Sequence, residues 1–90
     1  MYSFIVLNVI YSLNKNMENK ESEYHNIISK NIKKLRTAAK LSQESMAEKL
    51  SCSREFISRV ENQKERVSLN MLLKIAELFN VKPSDFFTNS

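Results

Sequence analysis

"LSQESMAEKLSCSREFISRVENQ", residues 41–63, decides how the rest of the chain is read. Apolar residues recur at helical spacing on both sides of "SCS". Met46, Ala47 and Leu50 share one face of the first segment, and Ile57 and Val60 share one face of the second. Ser42 and Ser53 stand where a helix N-cap is wanted, since a serine hydroxyl can accept from a first-turn N–H. The spacing predicts two helices of roughly eight to ten residues joined by a short turn, the helix-turn-helix arrangement. Such a turn forces a steep crossing. The residue where the backbones approach must be small, which suits Ala47, and Ile57 and Val60 then seal the angle. Arg54, Glu55, Ser58 and Arg59 are left on the outer face of the second helix.

The pattern continues on both sides. From about Tyr24, the residues Ile28, Ile32, Leu35 and Ala39 recur three or four apart, with Lys30, Lys33, Lys34 and Arg36 between them. "NQKERV" reads as a polar loop. Ser68 can cap a further helix with Leu69, Leu72, Leu73, Ala76 and Phe79 on its buried side. Pro83 suits the first position of a last short helix, with Asp85 in its first turn and Phe86 and Phe87 as anchors. Five short helices and no strand follow: an all-α bundle built around residues 24–90. The start of the chain differs. "MYSFIVLNVIYSL", residues 1–13, is apolar apart from Ser3, Asn8 and Ser12. It is too short to span a bilayer as a helix and lacks the basic lead and cleavage site of a signal peptide. It suggests a strand or arm that pairs with a partner, or an aggregation-prone segment. "NKNMENKESE", residues 14–23, reads as a polar linker. Residues 1–23 thus form an apolar run plus linker outside the domain, and residues 1–16 are expected to be dispensable for its folding.

Composition narrows the function. Ninety residues suit one small domain with a modest core. Residues 1–24 carry a net charge of −1, whereas residues 25–90 hold 12 of the 14 basic and 7 of the 10 acidic residues, a net of +5. That excess suits a polyanionic partner such as nucleic acid or an anionic membrane surface. The single Cys52 excludes an intramolecular disulfide, and with the single His25 it is too little for a structural zinc site. Cys52 falls where a small apolar residue is expected, and His25 reads as a solvated residue near a helix start. Without glycine no Gly-rich phosphate loop is possible. No catalytic constellation, metal site or cofactor motif is present, which argues against an enzyme.

"LSQ", "AEKL", "ISRVE", "SLNMLLKIAELF" and the final "FF" fall in the order and spacing of a known family. Residues 28–87 resemble the phage repressor and Cro-type helix-turn-helix regulators, the Xre family. "SREFISRVE" is similar to the recognition helices of restriction-modification controller proteins. The resemblance implies a compact lambda-repressor-like five-helix bundle, with Gln43 to Val60 as the DNA-binding unit. It also implies a cytoplasmic, sequence-specific transcriptional regulator of bacterial or phage type, acting on double-stranded DNA. A homodimer on a palindromic operator follows from the family's habit of binding half-sites one helical turn apart. An antitoxin that also binds a toxin is one alternative, and a protein-interaction module that has lost DNA binding is another. No membrane role is implied. Residues 1–16 are expected to be dispensable for DNA binding as well.

The candidate site divides by chemistry. Arg54 and Arg59 can each donate two parallel bonds to guanine, and Ser58 can reach a base edge. Glu55 can accept from cytosine N4, or can pair with Arg59 one turn on. Gln43 opens its helix, where side chain and N–H groups can hold a phosphate. Ser53, Lys40, Asn62, Lys64 and Arg66 flank the motif as further phosphate contacts. Phe56 either touches a thymine methyl or folds back on the bundle. Arg36 and Glu61 occupy positions where the family often carries a structural ion pair. Lys40, Ser51 and Gln63 stand where the family often places glycine, so a left-handed backbone there would cost about 1 kcal/mol each.

Overall fold

Helix α1 runs unbroken from Phe4 to Ala38, 35 residues, in a computed structural model that describes residues 4–89 and the side chains of residues 20–89. At 1.5 Å per residue it is about 52 Å long. This corrects two expectations. Residues 14–23 are helix and not a linker, and the backbone from Phe4 to Leu13 is helical and not a strand. The reason is the lack of a breaker: the chain has no glycine and no proline before Pro83. Lys, Glu and Met also favour helix, and extending a helix already nucleated in the core is easier than starting one. What the side chains of residues 4–19 contact lies outside the described residues. His25 sits within α1, half-buried, with Nε2 3.8 Å from a Glu21 carboxylate oxygen.

Helices α2 (Gln43–Leu50), α3 (Arg54–Glu61) and α4 (Leu69–Phe79) follow, and a 3-10 turn over Pro83–Phe87 closes the chain. The described residues therefore form four α-helices plus a turn, not five helices, and contain no strand. The closing segment is tightened locally. Lys82 N–H donates to Asp85 Oδ2 at 3.1 Å, and Asp85 N–H donates to the Lys82 carbonyl at 2.9 Å. Asn31 of α1 holds it from the side, its amide donating to the carbonyls of Phe86 at 2.8 Å and Thr88 at 3.0 Å.

The core gathers Ile28 and Ile32 from α1, Met46, Ala47 and Leu50 from α2, and Ile57 and Val60 from α3. Leu72, Ile75 and Ala76 of α4 and Phe86 complete it. Leu35, Phe56 and Phe79 pack at its edge. Ala39 is exposed, because α1 has already ended. Leu69 and Leu73, expected inside, are 69 % and 45 % exposed, and Phe87 is 42 % exposed. Ile75 explains the shift. The buried face of α4 centres on Leu72, Ile75, Ala76 and Phe79, so Leu69 and Leu73 form a flank one helical step beyond it.

Lys40, Ser51, Gln63 and Asn80 all take positive φ, from 54° to 63°. Each follows a helix and closes it the same way. The next residue's N–H reaches five residues back, as in Cys52 to the Ala47 carbonyl (2.9 Å) and Lys64 to the Arg59 carbonyl (2.8 Å). Glycine is the usual residue at this position, and asparagine tolerates it. Ser51→Gly and Gln63→Gly are each expected to stabilise the fold by about 1 kcal/mol. That corresponds to a melting temperature raised by roughly 4–8 °C per substitution for a domain of this size. A thermal melt checks this; unchanged or lower transitions would show that the left-handed turns carry no strain.

Candidate nucleic-acid interface

The α2–turn–α3 unit is organised by two N-cap serines and one alanine. Ser42 Oγ accepts from Ser45 N–H at 2.9 Å, and Ser53 Oγ accepts from Phe56 N–H at 3.1 Å. These caps satisfy one orphan donor each, and the N–H groups of the first helical residues have no acceptor within their own helix. Ala47 is buried where the two helices meet, and a longer side chain there would prise them apart.

A hydrogen-bonded ion pair ties α1 to α3. Arg36 Nε and Nη2 donate to the two carboxylate oxygens of Glu61 at 2.6 and 3.0 Å. The Arg36 and Glu61 side chains are only 12 % and 2 % exposed. Arg36 Nη1 also donates to the Leu41 carbonyl at 2.7 Å, which fixes the approach to α2. The side-chain amide of Gln43 donates from Nε2 to Glu61 Oε1 at 3.0 Å, so α1, α2 and α3 meet on one carboxylate. Among the described residues no buried side-chain nitrogen or oxygen lacks a partner.

The outer face of α3 carries Arg54, Glu55 and Arg59 exposed and Ser58 half-exposed. Arg54 Nη1 lies 3.5 Å from Gln43 Oε1, at the long end of a hydrogen bond. Arg59 does not pair with Glu55. Its Nε lies 3.3 Å from Glu65 Oε2 in the following loop, a partner the helical spacing gave no means of finding. Glu55 has no ion-pair partner among the described residues. Ser58 Oγ lies 3.4 Å from Asn62 Nδ2. Phe56 is half-buried and packs against the core.

The flanking cations are placed unequally. Lys40 is exposed in the α1–α2 turn, and Lys64 is exposed just past α3. Arg66 is exposed too, but Nη1 is 2.9 Å from Glu21 Oε1 of α1, so this loop is tethered to the first helix. Cys52 packs at the core edge, and burial pushes its thiol up against a smaller opposing effect of Lys74. A thiol held protonated in this way is a poor nucleophile. No group of three or more potential metal ligands occurs among the described residues, and no helix there is long and apolar enough to cross a membrane.

Comparison with known proteins places this geometry in a family. The helix-turn-helix family model HTH_3 matches residues 32–86. The chain is 41 % identical over 56 residues to an uncharacterized HTH-type transcriptional regulator of Methanocaldococcus jannaschii, covering 62 % of this chain and 85 % of that protein. Its fold is similar to that of the restriction-modification controller protein C.AhdI from Aeromonas hydrophila. There the TM-score is 0.67 and the identity 30 %, over 73 % of this chain and 96 % of that one. It is also similar to a point mutant of the controller protein C.Esp1396I, with TM-score 0.64 and 30 % identity, over 71 % of this chain and 81 % of that one. The chain belongs to the HTH_3 helix-turn-helix family, the Xre/Cro-type DNA-binding regulators.

Proposed function

We propose that the chain is a sequence-specific transcriptional regulator that lays α3 in the DNA major groove and binds a palindromic operator as a homodimer. The observation that carries this reading is the outer face of α3. Arg54 and Arg59 project from a helix whose angle is held by the buried Arg36–Glu61 pair. In this reading Arg54, Glu55, Ser58 and Arg59 meet base edges, where arginine pairs with guanine and glutamate with cytosine. Lys40, Ser53, Asn62, Lys64, Arg66 and the backbone N–H of Gln43, the first residue of α2, meet phosphates and set the register. Such a regulator works in the cytoplasm.

The homodimer reading has its own support. Tyr24, Leu69, Leu73 and Phe87 are exposed apolar side chains, at 47 % for Tyr24. Tyr24 and Phe87 meet edge to face at 6.1 Å, beside a groove of about 420 Å³ lined also by Ile28, Val67 and Leu72. A largely apolar groove with exposed rings at its rim marks an association surface. Leu69→Glu is expected to give a monomer, while a chain starting at Met17 stays dimeric, because the groove is built from Glu21 onward. Sedimentation of each form, alone and on an operator duplex, is the test. Two chains per duplex, protecting major-groove segments about one turn apart, support the reading. One chain per duplex contradicts the homodimer, and loss of dimerisation in the Met17 form moves the interface to the N-terminal run.

A further inference from the structure

We infer that the outward face of α1 around Lys30 and Lys33 is a docking site for an acidic amphipathic helix of a partner protein. No acidic residue occurs between Glu23 and Glu44, a span that holds Lys30, Lys33, Lys34, Arg36 and Lys40. Arg36 is paired with Glu61 in the bundle, and Lys40 belongs to the turn before α2. Lys30 and Lys33 are exposed, and neither has an ion-pair partner among the described residues. At about 100° per residue, Lys30, Lys33, Lys34 and Thr37 fall on one side of α1. Ile28, Ile32 and Leu35, which pack into the bundle, fall on the opposite side.

This face is more than a stripe of charge. A groove of about 400 Å³ runs along it, lined by residues that include Ile27, Lys30, Lys33, Thr37 and Asn89. Ile27 is half-buried. The groove is preformed. Asn31 donates to the Phe86 and Thr88 carbonyls at 2.8 and 3.0 Å, which holds the last described segment against α1 and makes Asn89 one wall. The Thr37 hydroxyl is committed within α1, where it donates to the Lys33 and Lys34 carbonyls at 3.0 and 3.1 Å. A partner is therefore offered ammonium groups, the aliphatic stems that carry them, and Ile27. A DNA backbone brings charge but nothing apolar to fill such a groove. A bilayer is too flat to enter a concave one. A helix with carboxylates on both sides of an apolar row supplies both, and its side chains recur at the three- and four-residue spacing of the lysines. The lysines then steer and orient the helix, while its apolar row fills the groove.

The test is an NMR titration of the full chain at physiological salt with four probes. The first is a helical peptide with glutamates on both sides of a leucine row. The second is the same peptide in scrambled order. The third is a duplex DNA of random sequence, and the fourth is vesicles of anionic phospholipid. The first probe should bind saturably and move Ile27, Lys30, Lys33, Thr37 and Asn89 most. Lys30→Glu with Lys33→Glu should weaken that binding by about tenfold or more. Duplex binding and its salt slope should stay as in wild type. Lys30→Gln with Lys33→Gln should give a smaller loss of the same kind, and serves in place of the reversed pair if that pair does not fold. Equal binding of the scrambled peptide, or no saturable binding of the first probe, overturns the inference. A duplex salt slope reduced by about two units in the reversed variant makes this face a phosphate contact and overturns it. Vesicle binding that the same variant abolishes overturns it in favour of a membrane. Shifts of these residues on diluting the chain alone overturn it in favour of a second copy.

Discussion

Glu61→Ala is expected to lower folding stability by about 3–5 kcal/mol. The carboxylate is nearly sealed, with its side chain 2 % exposed, and it is the acceptor for three hydrogen bonds. Removing it leaves the Arg36 guanidinium, only 12 % exposed, with the Leu41 carbonyl as its remaining described acceptor. A charge stranded in that way costs far more than a surface pair is worth, which is typically about 0–1 kcal/mol. The Gln43 amide loses its acceptor in the same step. For a domain of this size the melting temperature should fall by roughly 12 °C or more. Replacing both partners, as in Arg36→Met with Glu61→Leu, should recover part of the loss, because no charge then remains buried. Thermal melts of the single and double variants decide the matter. A Glu61→Ala protein as stable as wild type would show that the pair does not hold the bundle.

Arg54→Ala is expected to weaken operator binding and relax preference at one base pair in each half-site. A bidentate arginine–guanine contact supplies roughly 1–3 kcal/mol of discrimination. Lys64→Ala should behave differently, because a lysine on a phosphate reads no base. It should weaken all sequences about equally and reduce the salt slope by about one unit for the lost contact. Both side chains are exposed and outside the core, so both variants should stay folded. Binding of each to the selected operator and its single-base variants, at several salt concentrations, separates the two kinds of contact. An Arg54→Ala protein with unchanged base preference would remove that residue from the reading set.

The helix-turn-helix was legible because its signals are local. Ser42, Ser53 and Ser68 precede apolar periods and all three accept first-turn N–H groups. Ala47 is small where a steep crossing needs a small residue. The left-handed turns at Lys40, Ser51 and Gln63 were legible only through the glycine expected there, and Asn80 adds a fourth. The long reach of α1 was not legible, since a stretch of nine polar residues and one methionine looks the same as linker and as solvated helix. The missing glycine and proline were the available clue. The extent of the α4 core face depended on where Phe86 plugs the bundle, a contact between distant segments. The same holds in the site. Helical spacing offered Glu55 to Arg59, but the loop brings Glu65 closer, and nothing in sequence order could pair Gln43 with Glu61, 18 residues on.

The most direct test of the central claim is selection of bound sequences from random duplex DNA by the full-length wild-type protein. The account predicts enrichment of a palindrome whose half-sites lie about one helical turn apart, with guanine at positions whose selection disappears in Arg54→Ala or Arg59→Ala. Recovery of unenriched random sequence, with binding that depends on salt alone, would contradict it. The fold would then serve as a protein-interaction module and not as a reader of DNA.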